Sequence, residues 1–436
     1  MTHTSTISGW GNHLKRISKV FNPSSLSSVQ SNLLSEPSLI PRGMGRSYGD
    51  SANASTVLQT NYLDHFLSFD ENTGLLTAEA GVTLRDLLNI TIKKGWFLAV
   101  TPGTSYVTLG GAIASDVHGK NHHHAGTFGQ HVKSITMLLG SGEFITVSPE
   151  LHSDLFHATC GGMGLTGMII SATIQLIPIR STHINQQTIK AKCIEEACEA
   201  FEDNFDSTYS VAWIDCLAKG KNLGRSVLFL GEHSESGNLD LKLKDPINIP
   251  VYTPAALLNH VTMKSFNNTY WYKAKHNNIH QSRLLPYFYP LDSIGSWNKL
   301  YGKAGFIQYQ FVLPKQDGVK NMRTILSKIA KNGQGSFLAV LKLLGKENKN
   351  LLSFPLEGYT LALDFKVSES TIKMIHQLDE MILSMGGRVY LTKDAVMREN
   401  TFKSSYSNWQ LFESVREKYS AFGKFGSDQS KRLGLS

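Results

Sequence analysis

Between Thr101 and His131 the run TPGTSYVTLGGAIASDVHGKNHHHAGTFGQH gathers six glycines, five histidines and one lysine. Its centre, Gly110-Gly111-Ala112-Ile113-Ala114-Ser115, is built almost wholly from small residues. Glycine lets main-chain N–H groups approach a ligand closely and accepts positive φ, and successive N–H groups of this kind, or those opening a helix, bind anions. A phosphate-bearing ligand suits such a run, and a Gly-rich surface loop is the alternative that composition alone leaves open. Two further segments have the same character. Arg42-Gly43-Met44-Gly45-Arg46-Ser47-Tyr48-Gly49-Asp50 sets two arginines among glycines, and guanidinium groups add charge-assisted bonds to a diphosphate. Cys160-Gly161-Gly162-Met163-Gly164-Leu165-Thr166-Gly167 is the third. Three such loops in the first 170 residues share one requirement, a long ligand that touches backbone in several places, and a dinucleotide meets it. The pattern is not a Rossmann unit, because no G-x-G-x-x-G joins a first strand to a helix with an acidic residue about twenty positions on. The histidines raise zinc as an option, but without cysteine or glutamate beside them their spacing predicts no tetrahedral ligand set, and no metal is expected.

The elements that must position these loops follow from periodicity and turn residues. Ser27 to Leu34 reads as a short helix, Phe66 to Phe69 and Leu75 to Glu79 as a hairpin, and Thr83 as the N-cap of a helix ending before Gly95. Phe97 to Val100 is a buried strand leading into the long loop. Val132 to Leu139 and Glu143 to Val147 form another hairpin, and Met168 to Ile177 a strand after the third loop. Beyond Pro178 come strand-like stretches at Tyr209 to Asp215, Ser226 to Leu230, Phe306 to Leu313, Ser336 to Leu343, Thr360 to Phe365 and Arg388 to Leu391. Alternation places Gln308 and Gln310 on one face of theirs. Lys242 to Lys275, which includes Ala255-Ala256-Leu257-Leu258, reads as an irregular loop, with a flap or surface-attachment segment as the alternative.

The 436 residues and 41% hydrophobic content allow two or three domains with real cores. A formal charge of +8 favours anionic partners such as phosphates, nucleic acid or an acidic membrane surface; with no long basic block the charge is distributed, and a solvated basic surface is the alternative, so no nucleic-acid partner is expected. Cys160, Cys193, Cys198 and Cys216 match no zinc or redox spacing and read as reduced core residues. The amino terminus lacks the apolar region of a secretory signal, and no run of about eighteen apolar residues occurs, so a cytoplasmic location is expected, with peripheral attachment to the inner membrane as an option.

PRGMGRSYGD, TPGTSYVTLGGAIASDVHGKNHH and GGMGLTGMI together resemble the flavin-binding segments of the vanillyl-alcohol oxidase type of flavoproteins. SGWGN, SVAWIDC, GSWNKLYG, GFIQYQFVLP, FLAVLKLLG, LSFPLEGYTLALDF, GGRVYLTKDA and FGSDQSKRL extend the likeness over nearly the whole chain, toward the members that act on lipid-linked ribose. The resemblance implies an α+β fold: a two-lobed FAD-binding domain of residues 1–178 that returns at 388–436, and a cap of residues 179–387 with an antiparallel sheet. It implies that FAD is held by Arg42, Gly43, Met44, Gly45, Arg46, Ser47 and Tyr48, by Thr101, Pro102, Gly103, Thr104, Gly110, Gly111, Ala114, Ser115, His118, Gly119 and Asn121, and by Gly167, Ile169 and Lys393. Relatives that bind flavin covalently use a histidine where this chain has Arg46, so FAD is expected to be dissociable. The family's cysteine beside the flavin corresponds to Ala362, so thiol-directed inhibition is expected to fail. A cap tyrosine corresponds to Phe288, between Tyr287 and Tyr289.

The implied reaction takes the 2-hydroxyl of a polyprenylphosphoryl-β-D-ribose to the 2-keto sugar, with hydride moving to the flavin. An NADH-dependent short-chain reductase partner would complete epimerisation. Such chemistry needs positive charge near the flavin's N1–C2 carbonyl. Lys393 suits that task or contact with the substrate hydroxyl. Lys342 and Lys120 would bind the phosphate, Gln310 and Tyr289 the sugar, and His118 would position the hydroxyl or relay its proton. A soluble oxidase of sugar alcohols or aldonolactones is the alternative function.

Overall fold

Helix Leu84–Thr91 shows how local sequence sets the scaffold. Thr83 accepts from the Asp86 N–H and the Asp86 side chain accepts from the Thr83 N–H, while Leu84, Leu87 and Leu88 form one buried stripe. The helix passes through a 3-10 turn and stops at Gly95, whose φ of +81° is the left-handed conformation a C-cap requires. The computed structural model describes residues 2–254, 259–333, 335, 336 and 338–435.

Among these the strands form three main sheets, in an α+β arrangement. The first joins β1 (Thr2–Ser8), β2 (Lys15–Phe21), β3 (Ile40–Arg42) and β4 (Thr56–Gln59) in the order β1-β2-β4-β3. The β1–β2 hairpin was not expected from sequence. The second contains β5 (Phe66–Asp70), β6 (Leu75–Glu79), β7 (Trp96–Leu98), β8 (Val132–Leu138), β9 (Phe144–Val147) and β10 (Met168–Pro178). Strand β10 lies between β6 and β8 and is buried along most of its length, which its apolar run MIISATIQLI dictates.

The third sheet has eight strands and is antiparallel. It is built from β11 (His183–Ala191), β12 (Tyr209–Ile214), β13 (Ser226–His233), β15 (Asn278–Arg283), β17 (Phe306–Pro314), β18 (Ala339–Leu344), β19 (Gly358–Lys366) and β20 (Arg388–Val389), in the order β15-β11-β13-β12-β18-β19-β17-β20. Two short strands, β14 (Ile247–Asn248) and β16 (Ile294–Gly295), pair beside it. Helices Ile194–Asp203, Gly318–Asn332 and Glu369–Ser384 pack on this sheet. Tyr309 on β17 donates its hydroxyl to Asp379 of the third of these helices, 2.7 Å away, so the faces of β17 divide between a helix side and the Gln308–Gln310 side.

Three expectations change. Strand β18 starts at Ala339, not Ser336. The strand expected over Arg388 to Leu391 spans two residues and pairs with β17, so it closes the large sheet. Lys242 to Lys275 is not an irregular loop, since it holds β14 and the fourteen-residue helix His260–Lys273. Residues 255–258, singled out within that segment, lie outside the described residues. Cys160, Cys198 and Cys216 are buried and Cys193 partly so, all as free thiols. Among the described residues no helix is long and apolar enough to cross a membrane.

Candidate active site

The glycine loops and the large sheet enclose one cavity of about 840 Å³, near the upper end of what small-molecule sites need. All seven residues from Arg42 to Tyr48 line it, as do Thr101 to Thr104, Gly110, Gly111, Ala114, Ser115, His118, Gly119, Lys120, Gly167 and Ile169. Gln310, Ala362, Lys342 and Lys393 line it from the other side.

The loop after β3 supplies the clearest anion-binding feature. The N–H groups of Gly43, Met44, Gly45, Arg46 and Ser47 have no acceptor among the described residues. Gly45 adopts φ +62°, and five successive free donors around such a residue form a nest for a phosphate group. Gly103 has no atom within 4 Å of where a Cβ would lie, so its backbone faces open cavity. This cradle fits a diphosphate-bearing cofactor through main chain.

Two expected contributors have other partners. Arg42 donates to the carbonyls of Ser8 and Ala52 and to Asn53 Oδ1 at 2.7–3.0 Å, so its guanidinium ties the loop to the first sheet. Burial pulls it down to about 10. The start of helix Leu109–Ala114 is also occupied. Leu109 N–H donates to Val82 O, Gly110 N–H to Ala80 O and Gly111 N–H to the Thr108 hydroxyl. Gly110 serves close packing, since a Cβ there would lie 2.9 Å from Ala80 Cβ. Arg46 stacks its guanidinium 4.0 Å from the Trp10 ring centroid. Asn121 and Tyr289 are not part of the wall. Asn121 donates to Ala99 O at 2.8 Å, and the Tyr289 hydroxyl meets Thr101 Oγ1 at 2.5 Å, joining the segment before β16 to the Thr101–Thr104 loop. Asp292 makes a second such join, accepting from the Ser105 N–H and hydroxyl.

On the sheet wall, strand pairing sets the order of side chains. Gln310 of β17 faces Ala362 of β19, Ala362 faces Val340 of β18, and Val340 faces Trp213 of β12. Two residue pairs along, Gln308 donates to Asp364 Oδ1 at 2.6 Å and Tyr301 donates to Asp364 Oδ2 at 2.9 Å. Burial pushes the Asp364 carboxyl up to about 6. Lys393 places Nζ 3.9 Å from the Tyr48 ring centroid, and burial pulls it down to about 7 despite the charge of Asp364. Asp364 was not foreseen. It lies two positions beyond Ala362, so strand alternation aims both at the cavity, and that period was legible.

Lys342 lies two positions beyond Val340 on the same face, and burial holds it at about 8. It has no salt-bridge or hydrogen-bond partner among the described residues. Lys120 donates to Tyr287 O, stands 4.1 Å from the Tyr287 ring centroid, and is held at about 7 by burial and then by Lys342. His118 Nε2 meets Gln310 Nε2 at 3.1 Å, and Gln310 also donates to Thr360 Oγ1. Burial first, then Lys342, keeps the His118 imidazole well below its usual range, so the ring is neutral. With the amide as donor, Nε2 accepts and Nδ1, buried and unpartnered, carries the hydrogen.

The other histidines turn to separate acceptors or donors: His123 to Ser207 O, His124 to Phe205 O, His131 to Ala125 O, and His122 to the Gly345 N–H. Among the described residues no three His, Cys, Asp or Glu side chains are grouped to hold a metal. Asp116 was also missed. It accepts from Gly129 N–H, Asn348, Asn350 and Ser353, clamping the chain after β18 to the cradle two residues before His118.

Residues 34–148 match the FAD binding domain family. The chain is 28% identical over 41% of its length to D-arabinono-1,4-lactone oxidase of Yarrowia lipolytica, covering 36% of that protein. It is 30% identical over 33% of its length to L-gulonolactone oxidase of Scyliorhinus torazame, covering 33% of that protein. Against decaprenylphosphoryl-beta-D-ribose oxidase of Mycolicibacterium smegmatis it is 35% identical over 100% of its own length and 98% of that protein. The chain is therefore an FAD-dependent enzyme that oxidises CH–OH groups, and it belongs to the decaprenylphosphoryl-beta-D-ribose oxidase family of flavoproteins.

Proposed function

We propose that the chain oxidises the 2-hydroxyl of a polyprenylphosphoryl-β-D-ribose to the 2-keto sugar, the first half of an epimerisation to the arabinose form. The observation that carries this substrate class is Lys342, an ammonium enclosed in the cavity without a counter-ion among the described residues. A buried charge without a partner is costly, and a phosphate brought by the ligand removes that cost. A free alditol or aldonolactone brings none.

Bound FAD supplies the acceptor for the hydride that leaves the carbinol carbon. The five free N–H groups of residues 43–47 hold its diphosphate, and Thr101 to Thr104, Gly111, Ala114, Ser115, Gly167 and Ile169 form the rest of its bed. Gln310, fixed by His118 and Thr360, binds the sugar. Lys393 contacts the reacting hydroxyl and supplies positive charge beside it, and Asp364 keeps that ammonium in place. His118 acts by positioning Gln310, since its Nε2 is engaged by the amide. Lys342 and Lys120 receive the phosphate.

Residues 1–178 and the chain beyond the large sheet form the two lobes of the flavin domain, with the large sheet as cap. The keto product requires a second hydride donor to complete epimerisation, an NADH-dependent short-chain reductase, and a lipid-carried substrate requires peripheral contact with a membrane. Anaerobic bleaching of the flavin band near about 450 nm tests the reading. A polyprenylphosphoryl ribose should bleach it, while free alditols and aldonolactones should not. The reverse result assigns the enzyme to small soluble substrates.

A further inference from the structure

The row Gln310, Ala362, Val340, Trp213 crosses four neighbouring strands, and all four residues face the cavity. With strands about 4.8 Å apart the row is roughly 14 Å long. Its polarity falls in one direction, from amide to methyl to isopropyl to indole. At Trp213 the apolar path leaves the sheet. The Tyr270 ring centroid is 4.6 Å from that of Trp213, and Phe266, one turn earlier in helix His260–Lys273, stacks 6.0 Å from Tyr270. All three line the cavity, and exposure climbs along them from 7% at Trp213 to 47% at Phe266. Ile294 lines the same cavity at 38% exposure and pairs across β14–β16 with Ile247, which is 82% exposed. Exposed apolar side chains are ordinary one at a time. A continuous ladder from a cavity floor to the surface is not.

We propose that this ladder carries the isoprenoid chain of the substrate out of the cavity, with the sugar toward Gln310, the phosphate at Lys342 and the chain along Trp213, Tyr270 and Phe266. The assignment rests on the lipid-linked sugar reading, and it fixes the direction in which such a molecule lies. Lys342 and Val340 share a face of β18, so a phosphate at Lys342 stands beside the apolar end of the row. A chain of several isoprene units reaches Phe266, whereas a geranyl chain ends near Trp213.

Calorimetric titration of the FAD-loaded protein with octaprenyl phosphate and with geranyl phosphate tests the ladder without turnover. The protein should prefer the octaprenyl ligand. Phe266→Ser, at an exposed position where folding is not at stake, should cut that preference by about tenfold. Phe266→Leu should retain most of it. Equal weakening of both ligands, or an unchanged preference, overturns the ladder. Flavin bleaching by polyprenylphosphoryl ribose keeps the two ideas separable: bleaching without chain-length dependence removes the ladder alone, and chain-length dependence without bleaching removes the sugar reading alone.

Discussion

The cradle wall and the sheet wall of the cavity are made by opposite means. The cradle presents main chain: five N–H groups without acceptors among the described residues and a glycine open to the cavity, while Arg42, at the start of the loop, is consumed by carbonyls behind it. The opposite wall presents side chains: Lys342 on a strand whose backbone is already paired, and Lys393 on the turn after β20, both ammonium groups pulled down by burial. A backbone wall suits the cofactor proposed for it and is insensitive to most side-chain changes. A side-chain wall can be retuned one residue at a time. Substitutions in the cradle should therefore act on cofactor content, and substitutions on the sheet side on kinetics and pH.

The largest effect is expected at Lys393. Lys393→Ala should lower turnover by about 10²- to 10³-fold, the scale seen when a preorganised charge or donor at a reacting centre is removed. Flavin absorbance of the purified variant should stay near that of the parent. A variant that reduces its flavin normally would remove Lys393 from the mechanism, and one that purifies colourless would merge the two walls into a single cofactor site. Gly45→Ala should do the opposite. Its φ of +62° disfavours a side chain, and the added Cβ would lie 2.2 Å from Nη2 of the Arg42 guanidinium, which three hydrogen bonds hold in place. FAD affinity, measured by fluorescence on dilution, should fall by about tenfold, and turnover at saturating FAD should recover.

The same contrast explains what the sequence revealed. Period-two alternation placed Gln308 and Gln310 together, and the glycine density of residues 43–49 marked the nest, because both signals are local. Arg42 and the start of helix Leu109–Ala114 were read as phosphate donors because their partners are remote: Ser8, Ala80 and Val82. Ser8 belongs to the hairpin of THTSTIS and KRISKVF, where polar residues and patchy burial leave no clear alternation. Helix His260–Lys273 escaped for a related reason. It exposes Val261 and Tyr272 and buries Asn267, so its apolar residues define no single face. What hid it from a periodicity argument is what the proposed ladder uses.

A pH series sharpens the comparison at intermediate scale. Lys120, Lys342 and Lys393 are held at about 7, 8 and 7 in the fold, against an ordinary lysine value of 10.5. Between these values the unfolded chain binds more protons than the folded one, so stability rises with pH across that window and is lost as pH falls toward 7. The thermal midpoint of FAD-free protein should climb by a few degrees from pH 7 to 9.5. Asp364, pushed up to about 6, works the other way but only at lower pH, between about 4 and 6. Lys342→Met should raise the midpoint at pH 7 and flatten the climb, because it removes a buried charge that only a ligand neutralises. An unchanged slope would mean that the cavity lysines are already hydrated at their working charge.

The smallest effect should come where the two walls touch. The Tyr289 hydroxyl and Thr101 Oγ1 form a buried hydrogen bond between the proposed cap and the cradle, and Thr101 also lines the cavity. Tyr289→Phe leaves the threonine hydroxyl without that partner at a cost of about 1 kcal/mol. If the contact only braces the cap, the thermal midpoint should drop slightly, with FAD affinity and KM unchanged. If it also holds the cradle in register, FAD affinity should weaken by about threefold to fivefold while the KM for substrate stays the same. The second outcome is expected, because Thr101 opens the Thr101–Thr104 stretch of the proposed flavin bed and, among the described residues, its hydroxyl bonds to Tyr289. A change in KM alone would place Tyr289 at the substrate after all, reached through a rotation that breaks the bond to Thr101.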